Sequence, residues 1–222
     1  MLEPKPIIPN PGSERDPRNF VGRVVTTSRA MDMLKAKQSI LLSDPRRMGK
    51  TFWMRTLEER LNKNDDFKAV FIDYQGVNSV EEFLTTTAHA LSGSRNLPDK
   101  FPERLAALFE NIDASVSLGP LRLKEAVRSS SKTSIAVLED ILSQLDIDLE
   151  KDSKKAPLVI IMDEVSDAVL TIAQHSSENE ANGLLKRLRH LRSSTKNPLD
   201  NCRINWFSSC SSSHRSFYRC HK

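Results

Sequence analysis

Apolar residues along this chain fall into short unbroken runs, separated by longer stretches in which they recur every three or four positions. Residues 39–43 (Ser-Ile-Leu-Leu-Ser), 68–74 (Lys-Ala-Val-Phe-Ile-Asp-Tyr) and 157–162 (Pro-Leu-Val-Ile-Ile-Met) are runs of the first kind and read as buried strands, with a last strand candidate at 203–208. Between them Trp53, Leu57 and Leu61 share one face of a helix beginning at Lys50 or Thr51. Met31 and Leu34 fit a short helix over 27–37. Ser79 and Glu82 have capping-box spacing ahead of Val80, Phe83, Leu84, Ala88 and Leu91, a further amphipathic helix. Helical patterns recur at about 102–112 and 134–145, with Val116, Leu118, Leu121 and Leu123 suggesting a hairpin around Gly119-Pro120. Helices are expected again from Glu164 to about Gln174 and over about 178–192. Strands that alternate with helices and are continuously apolar predict an α/β fold, a parallel sheet covered on both faces.

The same pattern sets boundaries. Residues 1–19 carry Pro4, Pro6, Pro9, Pro11 and Pro17 and read as an extended arm. A domain over 20–209 follows, with an insertion at about 94–155, and residues 210–222 form an irregular, serine-rich tail. With 222 residues, 38% apolar and 28% charged, the chain is a globular composition able to bury about 70% of its unfolded surface. The net charge of +4 comes from 33 basic against 29 acidic residues, an excess too small to name a polyanionic partner. Cys202, Cys210 and Cys220 are odd in number and clustered, which does not suit an extracellular disulfide framework. No apolar run reaches the ~20 residues of a membrane span, and the start lacks a signal-peptide pattern, so no membrane contact and a cytoplasmic location are expected.

The chemistry concentrates at two places. Asp44-Pro45-Arg46-Arg47-Met48-Gly49-Lys50-Thr51 satisfies the P-loop (Walker A) pattern except at its first position, where Asp44 replaces glycine and puts a carboxylate near the phosphates. A strand precedes it and a helix follows, so loop amides and a helix N-terminus can converge on an anion. Lys50 would neutralise the β- and γ-phosphates and the Thr51 hydroxyl would ligate Mg²⁺. Asp163-Glu164 ends the most apolar run, at the strand end where open α/β sheets bind ligands. As a Walker B pair, Asp163 would hold Mg²⁺, directly or through its water, and Glu164 would polarise the attacking water; the alternative is a helix N-cap.

Phe20-Val21-Gly22-Arg23, the loop Pro45-Arg46-Arg47-Met48-Gly49-Lys50-Thr51, Phe71-Ile72-Asp73 leading into Ser79-Val80-Glu81-Glu82-Phe83-Leu84, and Ile160-Ile161-Met162-Asp163-Glu164 together resemble the archaeal-type AAA+ ATPase family, akin to the replication-initiator and STAND ATPases. The resemblance covers about residues 20–209. It implies that Phe20, Val21, Gly22 and Arg23 lie beside the adenine, and that Ser208 or Ser209, at the end of the last strand, senses the γ-phosphate. Members often lack the first P-loop glycine. They normally continue into a helical lid and a winged-helix region, which are expected to be absent here. The expectation is an ASCE-type P-loop core that binds ATP with Mg²⁺ and hydrolyses it as a conformational switch or motor, working with an unknown protein partner or as a homo-oligomer. The alternative is a non-hydrolysing, nucleotide-dependent module that binds DNA or protein.

Weaker signals complete the reading. Lys186, Arg187, Arg189, His190, Arg192 and Lys196 form a basic stretch that DNA could use, though such runs are more often solvated helix faces. Cys202, Cys210, His214, Cys220 and His221 include metal-ligand types without the paired spacing of a zinc site. In the ASCE order a fifth strand flanks the strand at 39–43, and nothing after Ser209 reads as one. A truncated or frame-shifted end, an exposed sheet edge, a tendency to aggregate and little ATPase activity are therefore expected.

Overall fold

The computed structural model describes residues 22–45, 48–63, 66–98, 100, 101, 103, 105, 134–151, 156–194 and 204–211. In chain order these form α1 (Val24–Lys35), β1 (Ile40–Asp44), α2 (Lys50–Lys63), β2 (Lys68–Asp73), α3 (Val80–Ser92), α4 (Ser134–Lys151), β3 (Leu158–Asp163), α5 (Val165–His175), α6 (Glu178–Ser194) and β4 (Ile204–Ser211). The four strands make one parallel sheet in the order β1-β4-β3-β2. The expected mixed α/β architecture with a parallel sheet is present.

Every residue of β3 is buried, and its side chains alternate between two cores. Leu158, Ile160 and Met162 join Val70, Ile72 and the apolar faces of α3, α4, α5 and α6. Val159 and Ile161 join Ala69, Phe71 and the apolar faces of α1 and α2. Two covered faces explain why the run is continuously apolar where a strand with one wet face would alternate. Trp53, Leu57 and Leu61 bury as their four-residue spacing predicts. In α3 the Glu82 N–H donates to Ser79 Oγ at 3.1 Å, while the Glu82 carboxylate takes the N–H of Asn78.

The outer edge of β2 is sealed by side chains. Asn62 receives the Ala69 N–H (2.7 Å) and donates to the Ala69 carbonyl (3.0 Å), Asn96 donates to the same carbonyl, and Glu58 receives the Phe71 N–H. These bonds satisfy strand groups that would otherwise template association. At the other side of the sheet, β1 pairs with β4.

Several boundaries differ from expectation. Helix α1 begins at Val24, before residue 27; Val24 and Val25 are exposed, so the apolar face that marks the helix starts only beyond them. Helix α4 runs on to Lys151 past residue 145, with Leu149 still buried. Strand β4 continues to Ser211 instead of stopping at 208, which moves Cys210 and Ser211 out of the expected tail. Its pairing with β1 uses backbone groups and needs no apolar side chains. Phe101, Glu103 and Leu105 are helical, with Phe101 and Leu105 buried. The rest of the helix expected at 102–112, the hairpin, the N-terminal arm and residues 212–222 lie outside the described residues. Among the described residues no helix is long and apolar enough to cross a membrane.

Leu57 is fully buried between α2 and the sheet. Leu57→Ala should lower unfolding stability by about 2–5 kcal/mol, read from urea denaturation, whereas Val25→Ala at an exposed position should stay within about 0.5 kcal/mol.

Candidate functional site

The turn between β1 and α2 is built so that its helix opens on a loop. Gly49 has φ +70, and nothing lies within 4 Å of where a Cβ would sit, so the backbone adopts a left-handed turn beside open space. Its carbonyl accepts the Trp53 N–H and closes the first turn of α2, which contains no acidic residue. A helix start of this kind favours an anion. Lys50 is buried to 8% exposure, and its ammonium donates to the Pro45 carbonyl at 3.2 Å, spanning the loop from one end to the other.

The segment before α1 is tied to this loop. Arg23, itself left-handed at φ 50, donates from its guanidinium to the Met48 carbonyl at 2.7 Å and lies 5.7 Å from the centre of the Trp53 ring. The Trp53 indole N–H donates to Thr27 Oγ1, and that hydroxyl donates to the Arg23 carbonyl. Gly22 and Arg23 therefore come to the loop together with Pro45, Met48, Gly49, Lys50 and Thr51. Phe20, Val21, Arg46 and Arg47 lie outside the described residues.

Opposite the loop, β3 ends in Asp163, which is fully buried. Asp163 Oδ1 accepts the Glu164 N–H at 2.9 Å. Glu164 stands before α5 with φ 55 and ψ 23, and its carbonyl accepts the Ala168 N–H. A glutamate in this backbone region costs on the order of 1–3 kcal/mol, a strain that clusters at functional sites. Glu164 fills the helix-capping position by backbone alone, since its side chain makes no cap bond, and the residue lines a cavity.

That cavity, of about 530 Å³, unites the two motifs: Gly49, Lys50 and Thr51 line it together with Glu164. Met48 and Phe52 line it on the loop side, and the remaining wall is Asp167, Ala168 and Thr171 of α5 and Gln75, Gly76 and Val77 after β2. Sequence reading missed all of these but Met48. Asp167 was findable, because three residues beyond Glu164 on a helix is the same face; Gln75 follows a strand end at the ligand-binding edge of the sheet. The Gln75 turn is held by Gly76 at φ +79 and by the Gln75 N–H on Asp73 Oδ1. It is anchored by Tyr74, whose N–H donates to the Asp163 carbonyl, whose ring stacks on Phe83 at 3.9 Å and whose hydroxyl bonds Thr87.

Ser208 pairs with Met162 and with Leu41, and Ser209 with Leu42, so both lie within β4, whose carboxyl end is Ser211 beside Asp44. The expected strand end at Ser208 or Ser209 is corrected accordingly. In the basic stretch, Arg187 pairs with Glu139 of α4, while Lys186 and Arg189 are exposed. Of the cysteine and histidine cluster only Cys210 is described, in β4. Compared with known proteins, the chain matches no family model, and no curated protein matches it in sequence.

Burial raises the Glu164 pKa, helped by the Asp163 and Asp167 carboxylates and a side-chain hydrogen bond with Asp167, while Lys50 opposes; the net result is about 7 against an ordinary 4.5. The folded chain thus holds this proton more tightly than the unfolded chain, and stability is lost as pH rises from about 4.5 through about 7. Glu164→Gln removes that loss. In metal-free buffer its melting temperature relative to the parent should rise between pH 5 and pH 8; a difference independent of pH contradicts the assigned environment.

Proposed function

We propose that this chain binds ATP with Mg²⁺ and hydrolyses it as a P-loop NTPase of AAA+ type. The observation that supports this reading is the convergence of Gly49-Lys50-Thr51 and Glu164 on one cavity at the carboxyl ends of parallel strands, with Asp163 buried next to Glu164 at the end of β3. The strand order β1-β4-β3-β2, with the loop-bearing strand next to the last strand rather than next to β2, is compatible with that architecture.

The residues present fit the ligand. The left-handed Gly49 and the start of α2 offer backbone donors to phosphate, and Lys50 adds a cation at the same point. Thr51 and Asp163 are hard oxygen donors of the kind Mg²⁺ takes, with phosphate and water completing its shell. When bound, Mg-ATP supplies the scissile phosphoanhydride and the cation that offsets charge developing on it. Glu164 takes the proton of the attacking water; a pKa of about 7 places it near the best value for a base at neutral pH. Lys50 neutralises phosphate charge, Gly22 and Arg23 flank the base-binding side, and Ser209 in β4 is the candidate γ-phosphate sensor. An arginine supplied by a second copy or another protein would complete the charge stabilisation.

Lys50→Ala should weaken Mg-ATP binding at least tenfold, about 1.4 kcal/mol, in a chain that still melts cooperatively. Glu164→Gln should bind ATP and lose turnover, and Asp163→Ala should reduce the Mg²⁺ dependence of binding. Unchanged affinity in folded Lys50→Ala overturns the nucleotide site. Binding without turnover in the parent chain, as monomer or oligomer and with or without DNA, would instead identify a nucleotide-dependent binding module.

A further inference from the structure

We infer that Arg23 is a positioning residue for phosphate: by holding the Met48 carbonyl it fixes the Met48–Gly49 peptide so that the Gly49 N–H, and not the Met48 oxygen, faces the anion. The inference rests on the reading of the cavity as a nucleotide site, and it gives the Arg23 side chain a task separate from the base.

A planar trans peptide carries its C=O and N–H on opposite sides, so a group that captures one aims the other. The Met48–Gly49 peptide is easy to turn over. Glycine takes φ of either sign at little cost, and at Gly49, with φ +70, nothing lies within 4 Å of where a Cβ would sit. One orientation offers an anion a donor; the other offers it the negative end of a carbonyl. Local sterics do not choose between them, whereas a partner for the Met48 carbonyl does. The Arg23 guanidinium is such a partner, donating to that oxygen at 2.7 Å, and a charged donor makes the stronger kind of hydrogen bond. Met48, Gly49 and Lys50 line the cavity and Arg23 stands outside its wall. A carbonyl drawn toward Arg23 therefore leaves the Gly49 N–H directed away from Arg23.

Arg23 is itself anchored for this task. Its carbonyl accepts both the Thr27 N–H and the Thr27 hydroxyl, each at 2.8 Å. Thr27 Oγ1 in turn accepts the indole N–H of the buried Trp53 at 2.9 Å, and the Trp53 ring lies 5.7 Å from the guanidinium. The Trp53 backbone N–H donates to the Gly49 carbonyl at 3.0 Å. The contacts close a circuit through Arg23, Met48, Gly49, Trp53 and Thr27. Both peptides that flank Gly49 are held by it, the first through Arg23 and the second through Trp53.

The test is calorimetric titration of the full chain and its Arg23→Ala and Arg23→Lys variants with Mg-ATP and with Mg-tripolyphosphate, which has no base, alongside melting curves to establish folding. Arg23→Ala should weaken both ligands by the same factor, at least about fivefold, and Arg23→Lys, which keeps a donor for the carbonyl, should recover affinity to within about threefold of the parent. Parent-like affinity in Arg23→Ala overturns the inference, as does an equal loss in both variants. A loss for Mg-ATP without one for Mg-tripolyphosphate also overturns it, because Arg23 then acts on the base. Ligand-free crystal structures of the parent and both variants read the peptide directly. A Met48 carbonyl that keeps its direction in Arg23→Ala overturns the inference, and one that turns over there and is restored in Arg23→Lys supports it. A parent that binds neither ligand shows that the nucleotide reading has failed, and the crystal structures then decide whether Arg23 sets the peptide.

Discussion

Burial of β3 on both faces is the constraint from which the rest follows. Six successive buried residues, of which the five apolar ones alternate between the two cores, tie α1 and α2 to one side of the sheet and α3 to α6 to the other. A strand so placed cannot slip by one residue without exchanging its entire set of neighbours. Asp163 and Glu164 stand where this run ends, so the packing that fixes β3 also fixes the acidic pair at the sheet edge.

The site departs from what stability alone would select. Glu164 takes a left-handed backbone and a half-buried carboxyl beside two others, and Lys50 is sunk to 8% exposure beneath the loop. Each is a cost that the surrounding structure must offset. The offset is visible in bonds that cross between elements: Arg23 to Met48, Trp53 to Thr27, and the Tyr74 N–H to the Asp163 carbonyl. The loop, the start of α1 and the turn after β2 are thereby held by groups belonging to their neighbours. Such a concentration of strain and raised proton affinity at one concave point supports the proposed site.

The two outer strands are managed differently. On β2, Asn62, Glu58 and Asn96 saturate backbone groups directed away from β3, and they do so from the helix and loop packed over that edge. On β1, Leu41 is exposed while the backbone pairs with β4. An α/β sheet tolerates polar residues at its strand ends because parallel pairing is made by the main chain. For that reason Ser208, Ser209 and Ser211 belong to β4 as fully as Trp206 and Phe207 do.

Local chemistry was legible in the sequence wherever a period or a short motif encoded it. The continuous apolarity of β3, the four-residue spacing of Trp53, Leu57 and Leu61, the Ser79 cap and the Gly-Lys-Thr turn each state a local geometry that the fold keeps, because side-chain burial and backbone preference act over a few residues. Tertiary structure decided what depends on neighbours distant in sequence. It set the start of α1, which exposed valines conceal, and the length of β4, which backbone pairing with β1 extends. It placed Arg23 on the loop, and it brought Gln75 and Asp167 into the cavity wall. The raised proton affinity of Glu164 depends first on its burial and then on the Asp163 and Asp167 carboxyls nearby, at a residue bent into left-handed backbone. No composition or spacing records that turn, since its cost is met by bonds from elsewhere in the fold.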